Sequence, residues 1–129
     1  MFKLILASKS KVRKKILDDN NILTLALPSS VDEDPIKQSL LKEKASPEII
    51  SKNLAEIKAS RVSQQNFDML VIGADSVIDL NGELISKPQN REDALKILKK
   101  LNGKVHNLIS SVCISKNGSM IWNYTDKAT

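Results

Sequence analysis

Apolar and polar positions fall into short blocks along the chain, and the period changes from block to block. Lys3 to Ala7 is a compact apolar run bounded by polar residues and predicts a short buried strand. Ser8-Lys9-Ser10 follows, and Lys11 to Asp19 predicts a helix with Val12, Ile16 and Leu17 on its inner face. Asn20-Asn21 predicts its end, because asparagine tolerates the left-handed backbone. Ile22 to Leu27 is a second strand candidate. Pro28 to Asp34 is a loop closing in the acidic cluster Asp32-Glu33-Asp34, and Asp34-Pro35 opens a short helix through Glu43.

Ser46-Pro47 is a sharper helix start, with serine as cap and proline at the first helical position. That helix runs to about Gln64, with Ile50, Leu54, Ile57 and Arg61 along one side and Ala55, Ala59 and Val62 beside them. Met69 to Ala74 predicts a buried strand ending at Asp75. Asn81-Gly82 stands between the β-rich runs Ser76–Leu80 and Glu83–Ser86 and predicts a two-residue hairpin, since both residues accept positive φ. Asn90 caps a helix to Leu101, in which Ala94, Ile97, Leu98 and Leu101 follow the amphipathic spacing, and Gly103 ends it. Val105–Ser115 and Ser119–Thr125 read as strands around a second hairpin at Asn117-Gly118. Strands alternate with helices, which predicts a single α/β domain over residues 1–129 with a mixed sheet and flanking helices.

Composition narrows the class. The chain has 129 residues, enough for one domain with a true core. Apolar residues make up 41% and charged residues 27%, which argues against disorder of the bulk chain. The single cysteine, Cys113, excludes a disulfide framework and a cysteine-rich zinc site. No apolar run reaches the roughly 18 residues of a membrane span, and the start lacks the pattern of a secretory signal, so no membrane partner and a cytoplasmic location are expected. Twenty basic against fifteen acidic residues give a net charge of +5, a lean toward anionic ligands. Aromatic residues at 3% argue against a stacking platform for single-stranded nucleic acid, and no stable nucleic-acid partner is expected. The chain stops at Lys127-Ala128-Thr129 directly after a strand candidate, an ending that reads as truncated.

Several residues carry candidate chemistry. Ser8-x-Ser10 lies where a strand hands over to a helix, where free N–H groups and small hydroxyls suit a phosphate. Arg13, one turn in, can fork onto phosphate oxygens; Ser10 also reads as a plain helix cap. Asp75 ends an apolar strand, and a carboxylate there can hold a metal or take a proton from water; it also reads as a turn cap. Glu33 is a second carboxylate, alternatively a solvated loop residue. Lys58 and Lys87 are candidate phosphate contacts among many solvated lysines. The Lys96, Lys99, Lys100 and Lys104 group reads as the wet face of a helix. His106 reads as a structural strand residue, Cys113 as an inert core thiol, and Trp122 and Tyr124 as packing residues on one sheet face. No P-loop, GxGxxG or HExxH motif occurs.

Taken in order, these positions resemble the Maf family of nucleotide pyrophosphatases. Leu-Ile-Leu-Ala-Ser-Lys-Ser-Lys-Val-Arg, residues 4–13, resembles the family's Leu-Ala-Ser-x-Ser-Pro-Arg-Arg signature. Val31-Asp32-Glu33 resembles its Asp-Glu step, and Leu54-Ala55 with Lys58-Ala59 resembles its Leu-Ala-x-x-Lys-Ala helix. Ile72 to Val77 resembles Gly-Ala-Asp-Thr-Val. Lys87-Pro88, then Leu98, Leu101, Gly103 and His106, resemble its Lys-Pro and Leu-Ser-Gly-x-x-His segments.

The resemblance implies an architecture like that of the inosine triphosphate pyrophosphatases, incomplete at its C-terminal side, since family members continue past Thr129. It implies hydrolysis of a nucleoside triphosphate substrate between its α and β phosphates, to a nucleoside monophosphate and pyrophosphate, with Mg²⁺ or Mn²⁺. By position, Ser8, Ser10 and Arg13 would hold phosphates, with Ser76 beside Asp75 on the substrate. Glu33 and Asp75 would serve the metal, Lys58 and Lys87 would neutralise the polyphosphate, and Asp75 would orient or deprotonate the attacking water. Val12 replaces the first arginine of the subfamily acting on thymidine and uridine triphosphates, which points to modified or other nucleotides. Lys11 replaces proline, Ser76 threonine, Asn102 serine, and Ser110-Ser111 a Thr-Gly pair. A homodimer is compatible with the resemblance. The competing reading is a non-catalytic nucleotide- or nucleic-acid-binding module, or an inactive fragment.

Overall fold

One long strand organises the molecule. The structure is a computed structural model that describes residues 4–8, 10–29, 32–80, 83–85 and 90–129, Glu83 through its backbone only. Its elements run β1 (Leu4–Leu6), α1 (Lys11–Asp19), β2 (Leu25–Ala26), α2 (Glu33–Lys42), α3 (Pro47–Gln64), β3 (Leu70–Leu80), β4 (Glu83–Ile85), α4 (Arg91–Leu101), β5 (Asn107–Lys116) and β6 (Ser119–Ala128). The sheet order is β2-β1-β3-β5-β6, with β4 also paired to β3. β1 is parallel to β2 and β3, and the other pairs are antiparallel, so the sheet is mixed with flanking helices.

Local chemistry sets the helix starts. Ser46 Oγ accepts the Ile49 N–H at 3.3 Å, with Pro47 opening α3. Asn90 Oδ1 accepts the Asp93 N–H at 2.9 Å, and Ser10 Oγ accepts the Arg13 N–H at 3.2 Å. Asn21 and Gly103 take φ of 60° and 70° after α1 and α4. Asn117 and Gly118, at φ 52° and 85°, form the tight turn between β5 and β6. The predicted Asn81-Gly82 turn lies outside the described residues; its flanks pair antiparallel, with Leu80 opposite Glu83.

The core lies between α3 and one face of the sheet. α3 buries Pro47, Ile50, Ser51, Leu54, Ala55, Ala59, Val62 and Ser63, a continuous helical stripe. The stripe passes through Ala55 and Ala59 rather than Ile57 and Arg61, because the sheet beneath demands close approach. A Cβ on Gly73 would stand 2.7 Å from Ala59 N and 2.8 Å from Ala59 Cβ, so only glycine lets helix and strand meet there. Ile5, Ala7, Val71 and Cys113 complete this layer. Cys113 is buried, and burial pushes its thiol up to about 11, an inert group as expected.

The other face of the sheet is thinly covered. α1 overlies it, forming a cleft of about 210 Å³ with Leu6, Ile72, Ala74 and Val112. Val12 and Ile16, expected on the inner face of α1, are 69% and 55% exposed. α4 keeps its predicted bounds but buries none of its residues. Trp122 and Tyr124 stack at 6.3 Å on one face of β6, as expected for residues two apart, but both are exposed. His106 precedes β5 instead of lying in a strand, with Nδ1 3.5 Å from the Lys104 carbonyl. β2 is a two-residue strand where Ile22 to Leu27 was expected, since β1 pairs with it only at Leu25 and Ala26.

Candidate active site

β3 does not stop at Asp75. It continues to Leu80, because β5 pairs with it from Val71 to Asp79 along one edge. On the other edge, β1 pairs with residues 70–72 and β4 with residues 78–80. Among the described residues, no strand covers that edge between them. Asp75 sits at the centre of this gap, where parallel pairing has run out, and the end of β1 leads directly into Ser8. Gaps of this kind at strand C-termini are where α/β sheets hold ligands.

The polar side chains form two clusters, one at the turn from β1 into α1 and one around Asp75 on the α3 face of the sheet. In the first, Ser8 Oγ accepts hydrogen bonds from the Ser10 N–H and from Arg13 Nη1, both at 3.1 Å. Ser8 is buried, and Ser10 doubles as the cap of α1. Two hydroxyls, a guanidinium and a helix N-terminus thus share one turn of chain, a combination suited to phosphate oxygens.

The second cluster joins three elements. Lys58 Nζ lies 3.1 Å from Asp75 Oδ1 and 2.5 Å from Glu33 Oε1. Lys58 falls on the inward stripe of α3, four residues beyond Leu54, and its side chain is 13% exposed. A lysine this little exposed needs a charged partner, and Glu33 and Asp75 supply it. Glu33 is the first residue of α2, which Asp32 caps by accepting the Asp34 N–H. Lys37, one turn on, reaches Glu33 Oε2 at 3.6 Å. The sequence reading missed Lys37; its i, i+4 spacing from Glu33 was the available signal. Ser51 Oγ donates to the Asp75 carbonyl at 3.0 Å and anchors the strand at the gap.

The charges are unequal in environment. Burial pushes the Asp75 carboxyl above its ordinary value; Lys58 opposes this and the Glu33 charge adds to it. Burial acts the same way on Glu33, but the hydrogen bonds and charges of Lys58 and Lys37 outweigh it and hold Glu33 below its ordinary value. Asp75 Oδ2 is buried and has no hydrogen-bond partner among the described residues. An orphaned carboxylate oxygen in a polar gap is a vacant acceptor for water or a hard cation.

Ser76 is not part of the second cluster. Strand alternation turns it to the other face, where its Oγ lies 3.0 Å from Ser110 Oγ. Lys87 lies outside the described residues. The structure therefore brings together Ser8, Ser10 and Arg13 in one group and Glu33, Lys58 and Asp75 in another.

The architecture is that of an α/β domain, a mixed sheet with flanking helices. A solved HAM1 protein from Coxiella burnetii shares this fold, with a TM-score of 0.52 at 16% identity over 98% of this chain and 70% of that one. The chain belongs to the family described as Maf-like protein, whose model matches residues 3–129. A nucleoside triphosphate pyrophosphatase of Pelagibacter ubique is 68% identical over 98% of this chain and 65% of its own length. A 7-methyl-GTP pyrophosphatase of Brucella abortus is 36% identical over 98% of this chain and 63% of its own length. The chain thus spans just under two thirds of these curated relatives.

Proposed function

We propose that this site hydrolyses a nucleoside triphosphate between its α and β phosphates, releasing a nucleoside monophosphate and pyrophosphate. The observation that carries this reading is the buried, unpartnered Asp75 Oδ2 beside the shared Lys58 ammonium; the Ser8–Ser10–Arg13 turn, where β1 ends, supplies the phosphate-binding groups. Phosphoryl chemistry needs charge neutralisation and an aligned nucleophile rather than a covalent intermediate, and the two clusters offer one each. Ser8, Ser10 and Arg13 bind phosphate oxygens. Lys58 neutralises negative charge as it builds on the polyphosphate, and Lys87 is proposed to add to it. Asp75 accepts a hydrogen bond from the attacking water through Oδ2 and takes its proton. Ser76 is proposed to meet the substrate from the other face of β3.

A divalent cation, Mg²⁺ or Mn²⁺, fits the donor set. Glu33 and Asp75 supply hard carboxylate oxygens, and the buried Oδ2 of Asp75 has no partner among the described residues. Among the described residues no three acidic, histidine or cysteine side chains gather to hold an ion unaided. That suits Mg²⁺, which takes one or two carboxylates and completes its shell with phosphates and water. When bound, the cation would supply charge stabilisation to the phosphates and lower the pKa of coordinated water.

The substrate class is proposed to be a modified nucleotide. Val12 stands in the first turn of α1 beside Arg13, 69% exposed and without charge, and a relative named for 7-methyl-GTP aligns over nearly the whole chain. No helix among the described residues is long and apolar enough to cross a membrane; a cytoplasmic location and a homodimer remain proposals. The test is incubation with canonical and base-modified triphosphates in Mg²⁺, measuring pyrophosphate directly. Metal-dependent pyrophosphate release that favours a modified base supports the reading. Release of orthophosphate instead, or binding without a product, contradicts it.

A further inference from the structure

Lys37 has no part in the hydrolysis outlined above, yet its side chain is only 15% exposed. Lysines on a helix surface ordinarily keep their ammonium in water, and burying one costs hydration free energy that a partner must offset. Here the partner is Glu33, whose Oε2 lies 3.6 Å from Lys37 Nζ while Lys58 takes Oε1. Each Glu33 oxygen therefore has its own cation. Of the four carboxylate oxygens in the cluster, Asp75 Oδ2 is the one without a partner among the described residues.

We propose that Lys37 is a positioning residue that anchors Glu33 Oε2, so that Glu33 and Lys58 hold one arrangement and Asp75 Oδ2 stays unpaired by either lysine. This rests on the pyrophosphatase reading of the same site. Among the described residues of this cluster, Glu33 and Asp75 against Lys37 and Lys58 sum to zero formal charge. Removing Lys37 makes the cluster more negative by one charge and leaves the Glu33 carboxylate held on one side only. A divalent cation is then drawn in more strongly, while the geometry that serves turnover is lost. A lysine that merely packed would not move these two properties in opposite directions.

The test compares wild-type protein with Lys37→Met, which keeps the apolar stem, and Lys37→Arg, which keeps the charge. Binding of Mn²⁺ alone is read by electron paramagnetic resonance on nucleotide-free protein, and pyrophosphate release by kcat and KM. Lys37→Met is expected to tighten Mn²⁺ binding by about threefold or more, from the lost repulsion at short range. It is expected to lower kcat by about tenfold with KM within about twofold. Lys37→Arg is expected to keep both near wild type. Mn²⁺ affinity that is unchanged, weakened or undetectable in Lys37→Met overturns the proposal, as does an unchanged kcat or a failure of Lys37→Arg to preserve the wild-type values. Should wild-type protein release no pyrophosphate from any triphosphate, the hydrolase reading fails, and the Mn²⁺ comparison still judges Lys37.

Discussion

Asp75 carries a conflict between stability and chemistry. Its side chain is 7% exposed and pairs with Lys58, which it shares with Glu33. Its carboxyl is raised in the folded state, so ionising it works against folding. The sign follows: the cost is absent below the unfolded value near 3.8 and grows as pH rises through the folded value. Asp75→Asn should therefore be at least as stable as wild type at pH 7 in urea unfolding, with its advantage shrinking on acidification toward that value. The same variant should lose about a hundredfold or more of pyrophosphate release, the scale of a lost general base. Glu33 has the opposite sign: its lowered carboxyl contributes stability above its ordinary value of 4.5 that is lost as pH falls through the folded value. Lys58→Met should cost about 3–5 kcal/mol in the same unfolding measurement, because it strands a buried carboxylate.

At the scale of elements, packing distance between α3 and β3 decides more than hydrophobicity. Gly73→Ala should destabilise by about 1–3 kcal/mol in urea unfolding, because its methyl group would overlap the backbone of Ala55 and Ala59. Elements governed by local chemistry were legible in the sequence. Ser46-Pro47, Asn90 and Asn117-Gly118 each determine backbone geometry within four residues, and those boundaries match. That Met69–Ala74 and Ser76–Leu80 run on as one strand through Asp75 was not legible, because the continuity comes from pairing with β5, about thirty residues further along the chain. Which of the two neighbouring stripes on α3 faces the sheet was not fixed by periodicity: Ile57 is the more apolar residue, but Ala55 and Ala59 fit against Gly73. Lys58 did not stand out by periodicity among twenty basic residues. Lys37 carried only a weak signal, since an i, i+4 pair on a helix is usually a solvated pair.

For the whole molecule, the two faces of the sheet differ in kind. One is sealed by α3; the other leaves Trp122 and Tyr124 of β6 and Ile16 of α1 exposed. Exposed apolar surface of this sort favours association. The single tryptophan reports on it directly. In dilute solution Trp122 should emit close to free tryptophan in water and be quenched readily by acrylamide. A blue-shifted, protected Trp122 at high dilution would contradict this account of the face. The mixed α/β fold was readable from the order of strands and helices. The division of the site into two clusters was not, because it depends on where β1 ends and β4 begins. The central claim is that both clusters address one triphosphate. The most direct test is amide NMR mapping with a non-hydrolysable α,β-imido nucleoside triphosphate and Mg²⁺. Shifts are predicted together at Ser8, Ser10 and Arg13 and at Glu33, Lys58 and Asp75, saturating at one concentration. Shifts confined to one cluster, or saturating separately, would contradict it.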